Sequence, residues 1–248
     1  MRKTDPPRGL FIDGEVRQVG DRPYVLLSCG MSIDGYLDNA SGTRLLLSND
    51  ADFDRVDAVR AECDAILVGA GTVRQDNPRL LVRSPQRRAE RVARGLRPTP
   101  VKVTVTGRAD LDPTARFFVT GEIDKLVYCA SASLDEARKR LGEVATVVDS
   151  GDPVDLELVL ADLHARGVAR LMVEGGGTIH TQFLTAGLAD ELQLVIAPFF
   201  VGDSRAPRFV NDGRFPWGPD RRAELAEVCQ IGDVVLLRYA LSERFAET

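Results

Sequence analysis

The chain has 248 residues, 44% of them hydrophobic and 28% charged, with a formal net charge of −5. That length can bury a sizeable core without disulfides or a structural metal, and the composition excludes collagen, a coiled coil and general disorder. The acidic balance argues against nucleic acid or an anionic membrane as the main partner, and no apolar run reaches the roughly 18 residues of a membrane span.

Residues 1–22 read as a loose N-terminal arm, polar and without the apolar centre of a signal peptide. Residues 23–242 read as one domain. Tyr24 to Ser28 is a short apolar run, hence a buried strand. Asp34-Gly35 and Ser41-Gly42 are turn signals. Ser48-Asn49-Asp50 is an N-cap candidate, followed by Phe53, Val56 and Val59 at helical spacing. Ala65 to Val68 is a second buried strand, ending in Gly69-Ala70-Gly71-Thr72. The arginine-rich stretch 84–98, with Pro85 and Pro98, reads as an exposed loop.

Strands follow at Val101–Val105, Lys125–Tyr128 and Thr146–Val148, with a short helix at Leu134–Leu141. Residues 153–166 read as a helix with Pro153 near its first turn. Arg170 to Val173 is a strand leading into Glu174-Gly175-Gly176-Gly177 and a helix to about Ala186, with Gly187 suited to its C-terminal cap. The end of the chain is richer in strands: Glu191–Ala197, Leu225–Ile231 and Val234–Tyr239, the last two joined by the hairpin pair Gly232-Asp233. Alternating strands and helices followed by this end imply an α/β fold. Its central sheet is mostly parallel and flanked by helices, with an antiparallel C-terminal edge.

Four cysteines, none in a C-x-x-C pair, and two histidines make a metal site improbable and suit reduced thiols in a cytoplasmic protein. Two strands run straight into glycine-rich segments that open helices, at 69–72 and 175–178. Backbone N–H groups there are free to meet a phosphate. Neither segment fits the dinucleotide fingerprint or the P-loop. Each is a tight turn or a phosphate cradle. Glu174 is a structural acceptor or a ligand contact, and His180 is a packed residue or a catalyst. Trp217 reads as a packed loop anchor.

Several blocks together carry a resemblance. Ser28 to Gly35, the run Arg60 to Arg83, Glu174 to Thr178 and the block Asp190 to Pro198 resemble the riboflavin-pathway pyrimidine reductases, in order, over about residues 22–240. The stand-alone archaeal and fungal type is the nearer match, by Gly30-Met31-Ser32 and by the short segment before the first strand, which leaves no room for a fused deaminase.

The resemblance implies a dihydrofolate-reductase-like fold, usually as a homodimer. It implies an NADPH-dependent reductase that converts the ribosyl group of a ribosylamino-pyrimidine 5′-phosphate to the ribityl form. Matched by position, cofactor contacts are Gly30, Thr72, Asp76, Thr106 and the loop Gly175, Gly176, Gly177, Thr178 and Ile179, continuing to Gln182. Substrate contacts are Arg60, Leu80, Arg83 and Glu174, with Arg44 as the alternative phosphate holder. Two departures concern the substrate: Ser28 stands where many bacterial members have lysine, and Arg44-Leu45-Leu46 stands where they have S-x-W.

The chemistry needs a carboxylate near a developing imine carbon, for which Asp34 and Glu174 are candidates, and a turn role for Asp34 stays open. Arg108, with hydroxyls at Thr106, Ser131 and Ser133, suits the 2′-phosphate of NADPH over NADH. A reductase of a pterin or another heterocycle, and a non-catalytic NADPH-binding protein, remain alternatives.

Overall fold

The computed structural model describes residues 22–41 and 45–247, together with short strands at 10–12 and 15–17. Strands β1 (Leu10–Ile12) and β2 (Glu15–Arg17) pair with each other, so the arm carries a hairpin of its own where the sequence suggested only loose chain.

The main body follows in the order β3 (Tyr24–Ser32), α1 (Asp50–Glu62), β4 (Ala65–Gly69), α2 (Ala70–Asp76), α3 (Pro85–Ala93), β5 (Val101–Thr106), α4 (Arg116–Val119) and β6 (Lys125–Cys129). It continues with α5 (Leu134–Leu141), β7 (Thr146–Asp149), α6 (Leu156–Ala165), β8 (Arg170–Val173), α7 (Gly177–Thr185), β9 (Glu191–Ala197), β10 (Glu224–Ile231) and β11 (Val234–Ala240). Nine strands form one sheet in the order β10-β11-β9-β3-β8-β4-β5-β6-β7. Pairings from β9 to β7 are parallel, and β11 and β10 add the antiparallel edge. The expected fold class is the observed one.

Alternation along β3 shows why the sheet is covered on both faces. Val25, Leu27 and Cys29 join the core under α6 and α7, whereas Tyr24 and Leu26 join the core under α1, α2 and α4. Helix α1 starts where the sequence indicated, with the Asn49 side chain accepting from the Asp52 N–H. Gly187 takes the left-handed conformation just past α7. Trp217 packs against the core as an anchor.

Two expectations need correction. The stretch 84–98 is not wholly loop: Ser84 caps α3 by accepting from the Arg87 N–H, and Pro85 suits its first turn. Arg87 then binds Asp54 at 2.7 Å and Asp57 at 3.0 Å, which gives the charged run a partner on α1. Pro153 lies outside α6, which starts at Leu156 behind an Asp155 cap. Strand β9 is interior, between β3 and β11, and β10 is the antiparallel edge strand, as expected of the C-terminal end.

Candidate active site

The chain leaves β3 for β4, steps outward to β7, and returns through β8, which inserts between β3 and β4. Strand order therefore reverses at β3, β8 and β4, and the loops at their carboxyl ends open onto one crevice. Both glycine segments lie there. The Gly69 N–H donates to the Gly175 carbonyl at 2.9 Å, and the Glu174 N–H donates to the Leu67 carbonyl at 3.0 Å.

Asn49, Ser84 and Asp155 cap their helices with side-chain oxygens, but α2 and α7 begin at Gly69 and Gly176 with no side-chain cap. Two uncapped helix starts thus meet side by side, with N–H groups and positive dipole ends available to an anion.

The three glycines differ in what they do. Gly175 sits at φ +118°, which an L side chain rarely adopts. A Cβ on Gly177 would lie 2.2 Å from the Arg208 carbonyl oxygen, so that residue is a close-packing glycine. Gly176 has ordinary φ, and its Cβ would meet only the Thr72 hydroxyl, at 3.4 Å. The space above Gly176 and Thr72 is therefore open, and any larger side chain would enter it. Ile179 faces away from it, under Gly69, where a Cβ would come within 2.7 Å of Ile179 Cγ1. Thr178 is exposed at the start of α7.

On the other side of the crevice, Arg60 reaches from α1 to Glu174. Its Nε and Nη2 each bind one carboxylate oxygen at 2.5 Å, and its Nη1 donates to the Leu81 carbonyl at 3.2 Å. The side chains are 18% and 13% exposed. Burial opposes the Arg60 charge, but Glu174 outweighs it and holds the guanidinium above its ordinary value. The two predicted substrate residues are thus partners of each other, and Arg60 is a fixed and neutralised group.

Leu80, buried at φ +46°, turns the chain so that Leu81 and Arg83 pass along α1. Arg83 stays 56% exposed, with its guanidinium over Phe53 and its Nε 3.6 Å from Asp57. It is the guanidinium of this set left most open to an incoming anion.

Other predicted residues have structural duties. The Asp34 carboxylate accepts from the Ser32 hydroxyl at 2.6 Å, the Val201 N–H at 3.0 Å and the Gly202 N–H at 2.8 Å. Desolvation opposes its charge, but these donors outweigh it and hold the carboxyl at about 2. It pins the β3 turn onto the 199–202 loop. His180 is buried, and burial pushes it down to about 4, so it is packed and neutral.

Beyond β5, the Thr106 hydroxyl accepts from the N–H groups of Arg108 and Ala109, at 3.3 and 3.2 Å, and shapes that turn. The Ser131 hydroxyl donates to Asp149 and that of Ser133 to the Gly107 carbonyl, so these hydroxyls are already engaged. Arg108 is exposed and has no ion-pair partner among the described residues. Gly30 lies under Leu47, whose Cβ is 3.4 Å from where a glycine Cβ would sit, and Asp76 ends α2. Arg44 lies outside the described residues.

Residues 23–237 match the RibD C-terminal domain. The chain belongs to the RibD C-terminal domain family. It is 35% identical over 225 residues, 90% of its own length and 99% of the relative's, to 2,5-diamino-6-ribosylamino-4(3H)-pyrimidinone 5′-phosphate reductase of Archaeoglobus fulgidus. The enzyme of the same name from Methanothermobacter thermautotrophicus is 36% identical over 222 residues, 89% of this chain and 99% of that one. Among solved structures, a pyrimidine reductase-like protein of Corynebacterium diphtheriae shares the fold, with a TM-score of 0.76 at 24% identity over 89% of this chain and 92% of that one.

In this RibD C-terminal domain several polar groups escaped sequence reasoning. Asp57 accepts from the backbone N–H groups of Arg83 and Ser84 and from Arg87, and so fixes the segment that carries Arg83. Asp52 and Asp57 are buried on α1. Carboxylates at inward positions of a helix were the available signal, because a buried charge requires a partner. Among the described residues no cluster of histidine, cysteine or acidic side chains is arranged to hold a metal.

Proposed function

We propose that the protein is an NADPH-dependent reductase of riboflavin biosynthesis, with residues 23–242 working as a single dihydrofolate-reductase-like domain. Its substrate is a ribosylamino-pyrimidine 5′-phosphate and its product the ribityl compound. The observation that carries this reading is the meeting of two uncapped helix starts above Gly176 and Thr72, beside the Arg60–Glu174 pair. The nearby relatives' names support the same substrate.

In this reading the 69–72 and 175–178 segments bind the cofactor pyrophosphate, since the Gly176 cradle suits an anion that approaches backbone closely. Thr72, Gly176, Gly177 and Thr178 line it from the two helices. Gly30, Asp76 and Thr106 border the same crevice. Arg108 faces the 2′-phosphate as a free guanidinium. The bound cofactor supplies the hydride.

The chain's own residues hold and orient the substrate. Arg83, stacked on Phe53, meets the 5′-phosphate, while Arg60 and Leu80 shape the pocket. The Glu174 carboxylate, oriented by Arg60, lies near the carbon that accepts hydride and favours positive charge there. Asp34 contributes a fixed negative charge and the shape of the turn. All four cysteines are free thiols, which suits the cytoplasm. Among the described residues no helix is long and apolar enough to cross a membrane.

The homodimer we propose uses the edge strand β10, where Leu225 and Val228 are 50% and 60% exposed. The test of function is to titrate NADPH and then the phosphorylated pyrimidine by calorimetry. Binding of both supports the reading. NADPH binding without pyrimidine binding supports a different heterocycle or a non-catalytic role. Absence of NADPH binding overturns the reading.

A further inference from the structure

Between α2 and α3 the chain from 77 to 84 forms no helix or strand, yet it carries Leu80 and Arg83. Without a ladder, its backbone groups need other partners. Side chains supply them. Arg60 donates to the Leu81 carbonyl at 3.2 Å, and the Thr99 hydroxyl accepts from the Val82 N–H at 3.0 Å. Arg88 donates to the Val82 and Arg83 carbonyls at 2.9 and 2.6 Å. The Asp57 carboxylate takes two more, the Arg83 N–H at 2.5 Å and the Ser84 N–H at 3.0 Å.

Asp57 does this from a buried place, only 2% exposed. Burial opposes its charge, but the two N–H groups and Arg87 outweigh that and hold the carboxyl below its ordinary value. The oxygen that fixes the Arg83 backbone also lies 3.6 Å from Arg83 Nε. One turn earlier on α1, Phe53 completes the hold. Its carbonyl accepts from Arg83 Nη2 at 2.5 Å, and its ring centroid is 5.6 Å from the guanidinium carbon. Residues four apart on a helix share a face, so both grips come from one side of α1.

A long exposed side chain ordinarily samples many rotamers, and ordering it on a ligand costs affinity. Arg83 is 56% exposed, yet its backbone, Nε and Nη2 each have a fixed neighbour, and only Nη1 has none among the described residues. We infer that Phe53 and Asp57 are positioning residues that pre-order Arg83 for the 5′-phosphate of the substrate, each acting through Arg83. This rests on the reductase reading above and adds to it a source of preference for the phosphorylated substrate.

The experiment compares wild type, Phe53→Leu and Asp57→Asn, each also in an Arg83→Ala background. Each protein is titrated by calorimetry with the ribosylamino-pyrimidinone 5′-phosphate and with its dephosphorylated form. Having to freeze one long side chain on binding corresponds to about 2- to 10-fold in Kd. The clamp predicts a loss of that size for each variant with the phosphorylated ligand and none with the dephosphorylated one. It predicts no further loss once Arg83 is alanine, and an unchanged NADPH Kd throughout.

Equal losses with both ligands, or losses that persist in the Arg83→Ala background, overturn the clamp. Phe53→Leu keeps apolar bulk and every hydrogen bond of Asp57, so it decides the matter if Asp57→Asn does not fold. Wild-type protein that binds NADPH but neither pyrimidine overturns the reductase reading and the clamp together. Wild-type protein that prefers the phosphorylated ligand, while the variants keep that preference in full, overturns the clamp alone.

Discussion

Replacing Glu174 with alanine separates the structural from the functional role of the Arg60–Glu174 pair. Removing one member of a buried pair costs about 3–5 kcal/mol, because the other charge is left desolvated and unpaired. The side chains are 18% and 13% exposed, so water partly screens the orphaned guanidinium and the lower end applies. Arg60 also keeps its bond to the Leu81 carbonyl. At about 2–4 °C per kcal/mol for a chain of this size, the loss of about 3 kcal/mol lowers Tm by about 6–12 °C.

The double variant Arg60→Leu with Glu174→Leu removes both charges. Replacing a buried pair by apolar groups is often neutral, so Tm returns to near the wild-type value. Substrate affinity does not return, because the oriented carboxylate and guanidinium are gone. Differential scanning calorimetry gives the first comparison, and titration with the phosphorylated pyrimidine in the presence of NADPH gives the second. A double variant that binds substrate like wild type refutes the reasoning, and the pair is then a packing device only.

Gly176→Val is expected to weaken NADPH binding by at least tenfold with little change in Tm, whereas Gly177→Ala, pushed against the Arg208 carbonyl, destabilises the fold; fluorescence titration and thermal melts tell the two apart. Arg83→Ala is expected to raise KM for the phosphorylated substrate by about 10- to 150-fold, toward the lower end because the residue is 56% exposed, and to leave the NADPH Kd unchanged.

Burial and the nearby Lys125 push Lys102 down to about 8, so the folded state carries a charge penalty below that pH. Because the unfolded chain then holds more protons between about 8 and 10.4, stability rises across that window by at most about 3 kcal/mol relative to Lys102→Met, as denaturant melts at several pH values would show. Val228→Glu on the edge strand β10 is expected to convert a dimer to a species of 27.1 kDa by light scattering, and a wild type already at that mass overturns the dimer.

Much of the frame was legible because its signals are local. Short apolar runs such as Ala65–Val68 and Arg170–Val173 have no room to be anything but buried strands, and the glycines that follow them mark where the chain turns into a helix. That local pattern also located the crevice, since the carboxyl ends of strands on either side of a reversal in strand order must open together.

What could not be read depends on distant partners. Arg60 and Glu174 are 114 residues apart, and nothing near Arg60 says that its charge is neutralised. Asp34 looked available for chemistry, but its donors include Val201 and Gly202, 167 and 168 residues away. Ser131 and Ser133 suited a phosphate by type, yet their hydroxyls are taken by Asp149 and Gly107. The run 84–98 was misread because its arginines look like a solvated loop until Asp54 and Asp57 on α1 supply their counter-charges.

The most direct measurement is loss of NADPH absorbance when purified protein is mixed with the ribosylamino-pyrimidinone 5′-phosphate, with the product weighed by mass spectrometry. The account predicts one NADPH consumed per product, a product two hydrogens heavier than its substrate, and a lower kcat/KM with NADH. Tight NADPH binding with no consumption, or consumption without the two added hydrogens, would contradict it.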